Sequence, residues 1–71
     1  MVSWMEIEEV LMDVRPYIEY YGRLKELVER IAKEASSIDD LIARLKAEEE
    51  RTEEPFKTDL RILINKLESL R

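Results

Sequence analysis

The sequence contains no cysteine and no histidine, and only one glycine and two prolines among its 71 residues. Without cysteine the chain has no disulfide and no thiolate metal site. Without histidine it has no imidazole metal ligand, no histidine general base and no histidine pH switch near neutrality. Because the cross-links that stabilise many short chains are missing, stability must come from helix packing or from burial against another chain.

Long hydrophobic runs are also missing, since no apolar segment approaches the roughly 18 residues of a transmembrane helix. The N-terminal residues lack the basic and apolar regions of a signal peptide. Together with the absence of cysteine, these features predict a cytoplasmic protein. Glutamine is absent and Asn65 is the only asparagine, while charged residues make up 41% of the chain. This composition is typical of heat-adapted proteins.

The charge is acidic, with a net value of −5, and it is unevenly distributed. Residues 1–14 carry four acids and no base, whereas residues 55–71 carry four bases and two acids. This pattern favours an acidic first segment that packs beside a basic last one. Phosphate neutralisation supplies most non-specific affinity for nucleic acids. An acidic chain with no basic run is therefore a poor nucleic-acid binder.

The most prominent pattern in the sequence is a pair of apolar stripes at helical spacing. Their steps of three and four residues place the members of each stripe on one helix face. The first stripe comprises Ile7, Val10, Val14, Tyr17, Tyr21, Leu24, Val28, Ile31, Ala35, Ile38, Ile42 and Leu45, and the second comprises Phe56, Leu60, Leu63, Leu67 and Leu70. We therefore predict an all-α fold, a small antiparallel helical bundle that forms one domain over residues 1–71.

Capping residues and prolines predict where the helices begin. Ser3 with Glu6 forms a capping box, and Ser37 is followed by acids that favour a helix N-terminus. Pro16 and Pro55 follow the capping residues Asp13 and Thr52 and fit the first turn of a helix, where proline needs no N–H. The resulting map is a short helix over 4–12 and three main helices over 14–35, 38–51 and 53–70.

An alternative map joins the first two helices into one helix kinked at Pro16, because the apolar stripe is unbroken across it. Gly22 lies inside the predicted second helix and is followed by no capping residue. We interpret it as an interior glycine that another helix approaches closely.

Aromatic side chains and flanking apolar side chains are the candidate contact surface. Tyrosine and tryptophan are favoured interface anchors, and this interpretation is favoured for Trp4 and Tyr20. For Tyr17 and Tyr21 core packing is favoured, with an interface role as the alternative. The stripes are widened by Met5, Leu11, Met12, Ile18, Leu27, Leu41, Ile62 and Ile64. A chain this short is not expected to bury so wide a surface alone, so a partner or a second copy should cover it. The predicted interface residues are Trp4, Tyr17, Tyr20, Tyr21, Ile62 and Ile64.

The charged clusters predict no chemistry. The carboxylates concentrate at Asp39, Asp40, Glu48, Glu49, Glu50, Glu53 and Glu54. Enzymatic use would require two acids that converge in a pocket, and we interpret these carboxylates as a solvated acidic face. The basic side chains Arg23, Arg30, Lys33, Arg44 and Arg51 are interpreted as members of helix-face ion pairs. No catalytic residue, cofactor site or metal site is predicted, and no glycine-rich phosphate loop is present.

The sequence as a whole predicts a small helical protein–protein interaction module or accessory subunit that acts by helix-face packing. Its partner is another protein or a second copy, with a two-fold homodimer as the expected self-association. The alternative function is a self-associating structural bundle. A nucleic-acid-associated accessory module and a small helical enzyme are less favoured, and neither a membrane nor a small-molecule substrate is expected.

Overall fold

The computed structural model describes residues 3–70, and these residues are almost entirely helical. This part of the chain forms four α-helices, α1 (Trp4–Val14), α2 (Tyr21–Ala32), α3 (Ile38–Arg51) and α4 (Phe56–Glu68). A short 3₁₀ turn, Arg15–Tyr17, follows α1. No strand occurs among residues 3–70. The predicted all-α fold, a small helical bundle, is confirmed.

One hydrophobic core joins the four helices, and α4 packs against each of the other three. The core side chains are those of Ile7, Val10, Leu11, Val14, Leu24, Val28, Ile31, Ala35, Leu41, Ile42, Leu45, Phe56, Leu60, Leu63, Ile64 and Leu67. Most positions of both predicted stripes are therefore buried. The clear exceptions are Tyr17 and Leu70, which are 73% and 51% exposed.

The acidic first segment does pack beside the basic last one. Helix α1 lies against α4, and Lys66 Nζ is 3.9 Å from Asp13 Oδ2. Both side chains are substantially exposed, so this pair contributes little to stability. It shows that the charge distribution along the chain is consistent with the order in which the helices pack.

The predicted helix over 14–35 is wrong, and so is the alternative of one helix kinked at Pro16. Helix α1 continues to Val14, so Asp13 lies inside it and does not begin a new helix. Pro16 is the second residue of the 3₁₀ turn, and Ile18 then becomes extended with φ −103° and ψ 129°. Helix α2 begins only at Tyr21. The continuous stripe was misleading because Tyr17 points to solvent while the neighbouring Ile18 packs against the core.

The two serine caps have different outcomes. Ser37 is the N-cap of α3, and its Oγ accepts a hydrogen bond of 3.0 Å from the backbone N–H of Asp40, as predicted. Ser3 is the N-cap of α1, but its side chain accepts no capping hydrogen bond, so the hydroxyl contact predicted by the capping box is wrong. The start of α1 at Trp4 is nevertheless correct.

The predicted start of the last helix at residue 53 is too early. Thr52 is instead the C-cap of α3, because its backbone is extended with φ −104° and ψ 138°. Its Oγ1 donates to the carbonyl oxygen of Glu48 at 2.6 Å. Pro55 is the N-cap of α4, one residue before the first helical turn. The Glu54 carboxylate accepts from the backbone N–H of Thr58 at 2.8 Å and from its hydroxyl at 2.6 Å. These two bonds hold the first turn of α4.

The close approach expected at Gly22 is also wrong. Gly22 is the second residue of α2 and is exposed, and a Cβ atom built there would meet nothing within 4 Å among residues 3–70. No neighbouring helix requires a glycine at this position.

The chain buries much more of its widened apolar surface than the sequence analysis expected. Leu11, Leu41 and Ile64 are fully or almost fully buried. Ile18, Leu27 and Ile62 are half-buried and pack against the core. Of the flanking residues, Met5 and Met12 remain exposed. The premise that this short chain cannot cover a wide apolar surface is therefore wrong, while the homodimer itself remains a prediction.

Candidate interaction site

The connection between α1 and α2, residues 15–20, presents two exposed tyrosines and is called here the tyrosine turn. Tyr17 is 73% exposed and Tyr20 is 43% exposed. Between them, Ile18 is half-buried and packs against the hydrophobic core. An apolar residue thus attaches the turn to the core while an aromatic residue on either side faces solvent.

Asp59 of α4 holds the backbone of the tyrosine turn. Its Oδ1 accepts a hydrogen bond of 3.1 Å from the Glu19 N–H, and its Oδ2 accepts one of 2.8 Å from the Tyr20 N–H. Asp59 is only 2% exposed and is the one buried charged residue among residues 3–70. The carboxylate thus connects α4 to Glu19 and Tyr20, which lie 40 and 39 residues before Asp59 in the sequence.

The position of Asp59 follows from the needs of a helix N-terminus. Tyr20 is the N-cap of α2, and its carbonyl oxygen accepts from the Leu24 N–H. The N–H groups of Glu19 and Tyr20 precede the first helical turn, and they therefore have no acceptor within the helix. A carboxylate that accepts two of these N–H groups satisfies them and interacts favourably with the helix dipole. Burying a charged group is costly unless it is hydrogen-bonded, and here both oxygens are.

A cation–π contact connects the two ends of the tyrosine turn. The guanidinium carbon of Arg15 lies 4.9 Å from the ring centroid of Tyr21, the first residue of α2. Tyr21 is half-buried and packs against the core. Contacts of this kind contribute roughly 0.5–1 kcal/mol when they are exposed. The turn is therefore held at its backbone by Asp59 and at its ends by an aromatic contact.

The structure separates the six predicted interface residues into two groups. Tyr17, Tyr20 and Tyr21 lie in or next to the tyrosine turn. Trp4 begins α1 and is half-buried against the core, while Ile62 lies in α4 and is also half-buried. Ile64 is 3% exposed, so the folded chain leaves almost none of its surface for a partner. The interface role of these residues remains a prediction.

Sequence reasoning missed Asp59, although the sequence contains a signal for it. Asp59 is three residues after Phe56 and four before Leu63, which places it on the buried face of α4. An acid on an apolar helix face requires polar partners inside the fold. The identity of those partners was not readable from the sequence, because the tyrosine turn was predicted to be helical.

The acidic face is only partly solvated. Glu48 pairs with Arg51 at 2.6 Å, and Glu49 pairs with Arg61 of α4 at 3.1 Å, with both carboxylate side chains less than a third exposed. Glu50 and Glu53 are exposed, as expected. Within residues 3–70, no three acidic side chains converge in a way that suits a metal ion.

The basic side chains form the predicted ion pairs only in part. Arg44 is 3.1 Å from Asp40 in its own helix and 3.6 Å from Glu34 near the end of α2. The guanidinium carbon of Arg23 lies 4.1 Å from the ring centroid of Phe56, a contact with an aromatic ring instead of an acid. Ion pairing therefore explains Arg44 and Arg51, whereas Arg23 packs on α4.

The MJ1579 family model matches residues 5–71, a segment that includes the tyrosine turn and Asp59. The chain belongs to the MJ1579 family. The family description names no activity, and no curated protein matches the chain. No helix within residues 3–70 is long and apolar enough to cross a membrane.

Proposed function

We propose that this member of the MJ1579 family is a small helical protein–protein interaction module, acting as an accessory subunit, and that the tyrosine turn is its contact surface. The observation that carries the proposal is that Tyr17 and Tyr20 are exposed on a segment whose backbone is held by the buried carboxylate of Asp59. Aromatic side chains on an ordered backbone are typical binding anchors.

The ordered backbone favours tight binding for an entropic reason. A flexible loop loses conformational entropy when it binds, and that loss subtracts from the affinity. Pro16 restricts φ in the 3₁₀ turn, and the two hydrogen bonds to Asp59 fix the end that enters α2. The tyrosine turn therefore loses much of this conformational entropy when the chain folds and not when it binds. The contacts made by Tyr17 and Tyr20 then contribute more fully to affinity.

The proposal describes a protein that acts without catalysis, cofactor or metal, and that works in the cytoplasm. The reasons are the lack of histidine and cysteine, the carboxylates engaged in ion pairs and caps, and the absence of a long apolar run. Its partner is a protein surface with pockets that accept tyrosine rings. A self-associating bundle remains the alternative from a different class.

The proposal is tested by comparing wild type with the double variant Tyr17→Ala, Tyr20→Ala. Cross-linking in the native source followed by mass spectrometry identifies the partner, and calorimetry with the purified partner then gives the affinity. We expect the double variant to bind at least about 30-fold more weakly, because truncating a binding anchor costs roughly 2 kcal/mol or more. Circular dichroism should show unchanged helicity, since both side chains are exposed.

Leu70→Ala is the matched control, because Leu70 is also an exposed large apolar residue but lies beyond α4. It should bind as wild type does. Equal affinity of the double variant and wild type would contradict the proposal. Light scattering distinguishes the alternative: if wild type is a dimer and the double variant a monomer, the partner of the tyrosine turn is a second copy.

A further inference from the structure

The outer face of α1 exposes two methionines that the core does not use. Met5 and Met12 are 75% and 57% exposed. They are seven residues apart, so they point in directions about 20° apart around the helix, and both lie about 140–160° from the buried Ile7. Helix α1 is therefore apolar on two opposite sides, and only the side with Ile7, Val10, Leu11 and Val14 is covered by the rest of the chain.

Acidic side chains surround these methionines. Glu8, Glu9 and Asp13 lie beside Met5 and Met12 on the same outer face of α1, which is open to solvent. Within residues 3–70, Glu8 and Glu9 form no ion pair, and the only cation near Asp13 is Lys66 at 3.9 Å. The exposed apolar strip thus lies beside acidic side chains that residues 3–70 barely neutralise.

We propose that this face of α1, called here the Met–acid face, binds a basic amphipathic helix of a partner protein. Methionine side chains are flexible and polarisable, so they adapt to the apolar face of a helix whose sequence is not tightly specified. The carboxylates beside them pair with Lys or Arg on the flanks of that helix and speed its association. An apolar partner without bases would desolvate these carboxylates with no compensation.

The negative charge of the Met–acid face argues against two other binding partners. A second copy of the chain that packs through the same face would bring Glu8 and Glu9 of one copy against those of the other, which is repulsive in a two-fold contact. A nucleic acid would be repelled by the same carboxylates. The Met–acid face does not depend on the tyrosine turn, because its residues all belong to α1.

The test uses a synthetic helical peptide of Lys and Leu with an amphipathic pattern, labelled for fluorescence anisotropy. A peptide of the same composition in scrambled order and an amphipathic Glu and Leu peptide serve as probe controls. We expect saturable binding of the first peptide, at least about tenfold weaker binding of the scrambled peptide, and no binding of the acidic peptide.

Two pairs of variants locate the binding on the protein. Met5→Lys with Met12→Lys should weaken binding of the basic peptide at least about tenfold, and Glu8→Lys with Glu9→Lys should weaken it and reduce its dependence on salt. Their matched controls are Leu70→Lys, at another exposed apolar residue, and Glu50→Lys with Glu53→Lys, at exposed acids of a different segment. All four proteins should retain wild-type helicity.

Three outcomes would overturn the proposal. The basic peptide shows no saturable binding; the variants of α1 bind it as tightly as their controls do; or the methionine variant converts a wild-type dimer to a monomer in light scattering. The last result would show that the Met–acid face binds a second copy of the chain.

Discussion

Two helix junctions of this protein are held in different ways. The tyrosine turn between α1 and α2 is held by Asp59, which lies about 40 residues away in sequence and is buried. The segment between α2 and α3, residues 33–37, is held by Asp40 and Ser37, which bond to backbone groups three or four residues away. One junction depends on the tertiary fold, and the other depends on its own sequence.

The difference in sequence distance has an energetic consequence. Ser37 and Asp40 can form their hydrogen bonds as soon as α3 begins to form, so these bonds cost little loop-closure entropy. The bonds from Glu19 and Tyr20 to Asp59 require α4 to be packed in place first. They form in a partly buried setting, with a buried charged acceptor, where hydrogen bonds are stronger than in water. We therefore expect the remote junction to contribute more to stability and to be lost as one unit with the core.

The largest expected effect comes from breaking the remote junction with Asp59→Ala. Removing the carboxylate leaves two N–H groups near the start of α2 without their acceptors, and we expect the free energy of unfolding to fall by about 3 kcal/mol. Urea denaturation measures the loss, and hydrogen exchange should show faster exchange at the amides of Glu19 and Tyr20. Asp59→Asn should lose less, because one oxygen can still accept.

The control for this variant is Glu50→Ala, which removes an exposed carboxylate from α3 and should change stability by less than about 0.5 kcal/mol. Unchanged exchange at Glu19 and Tyr20 in Asp59→Ala would show that the turn keeps its conformation without the carboxylate. The contrast between the two junctions would then be wrong.

A smaller effect is expected at the local junction. Ser37→Ala removes the hydroxyl that accepts from the Asp40 N–H and should lower the free energy of unfolding by about 1 kcal/mol. Ser3→Ala is a matched control, since Ser3 is also an N-cap but its side chain accepts no capping bond. It should lose less than about 0.5 kcal/mol. Thermal and urea unfolding of both variants give the comparison, and equal losses would contradict the assignment of the caps.

Pro16→Ala tests whether Pro16 or Asp59 prevents the tyrosine turn from continuing α1 as a helix. Proline restricts the unfolded chain, so its removal should lower stability by up to about 1 kcal/mol. Helicity measured by circular dichroism should stay the same, because Asp59 still holds the backbone of Glu19 and Tyr20. A clear rise in both helicity and melting temperature would instead show that proline alone interrupts a continuous helix.

The smallest effect on stability is expected when the pH is lowered. The Ser36 backbone N–H, and then the Arg44 side chain, lower the pKa of Asp40 below its ordinary value. A lowered pKa in the folded state stabilises the fold above the ordinary aspartate pKa of about 3.9, and this stabilisation is lost as the pH falls through the lowered value. Asp40→Asn should therefore show a slightly shallower loss of stability below about pH 4 than wild type in acid titrations. An identical acid profile would argue against the bond to Ser36.

Glu54 should act in the same direction. The Thr58 hydroxyl, followed by the Thr58 backbone N–H, lowers the pKa of Glu54. Its contribution is present above the ordinary glutamate pKa and decreases as the pH falls through the lowered pKa. Thr58→Val removes the hydroxyl and tests this by NMR titration, in which the pKa of Glu54 should rise towards its ordinary value. No change on substitution would contradict the assigned cause.

The sequence predicted the local features because their causes are local. The capping function of Ser37 is visible within four residues, and the buried positions follow from spacing along each helix. The end of α1 was missed because Pro16 is compatible with both a helix start and a helix end. What distinguishes them is that Ile18 packs on the core and Asp59 accepts the next two N–H groups. Neither contact is visible without the packing of α4.

The candidate site was predictable in its residue types but not in its arrangement. Tyr17 and Tyr20 were both named as candidate anchors, and both are exposed. The core packing favoured for Tyr17 is therefore wrong, while the binding role of the two tyrosines stays a prediction. Ile64 was selected because the last helix is apolar on more than one face, yet it is buried, because three other helices pack against α4. A sequence shows that a helix is apolar on several sides, while the packing determines which sides meet another helix.

By itself the sequence determined the all-α class, most of the core, the start of α3 and the negative charge of the first helix. These properties depend on side chains within a few residues of one another. The tertiary structure alone decided that α1 and α2 are separate helices, that Asp59 is a buried acceptor, and that Met5 and Met12 remain exposed. The reason is that each of these depends on which helices pack together, and distant segments become neighbours only when the chain folds.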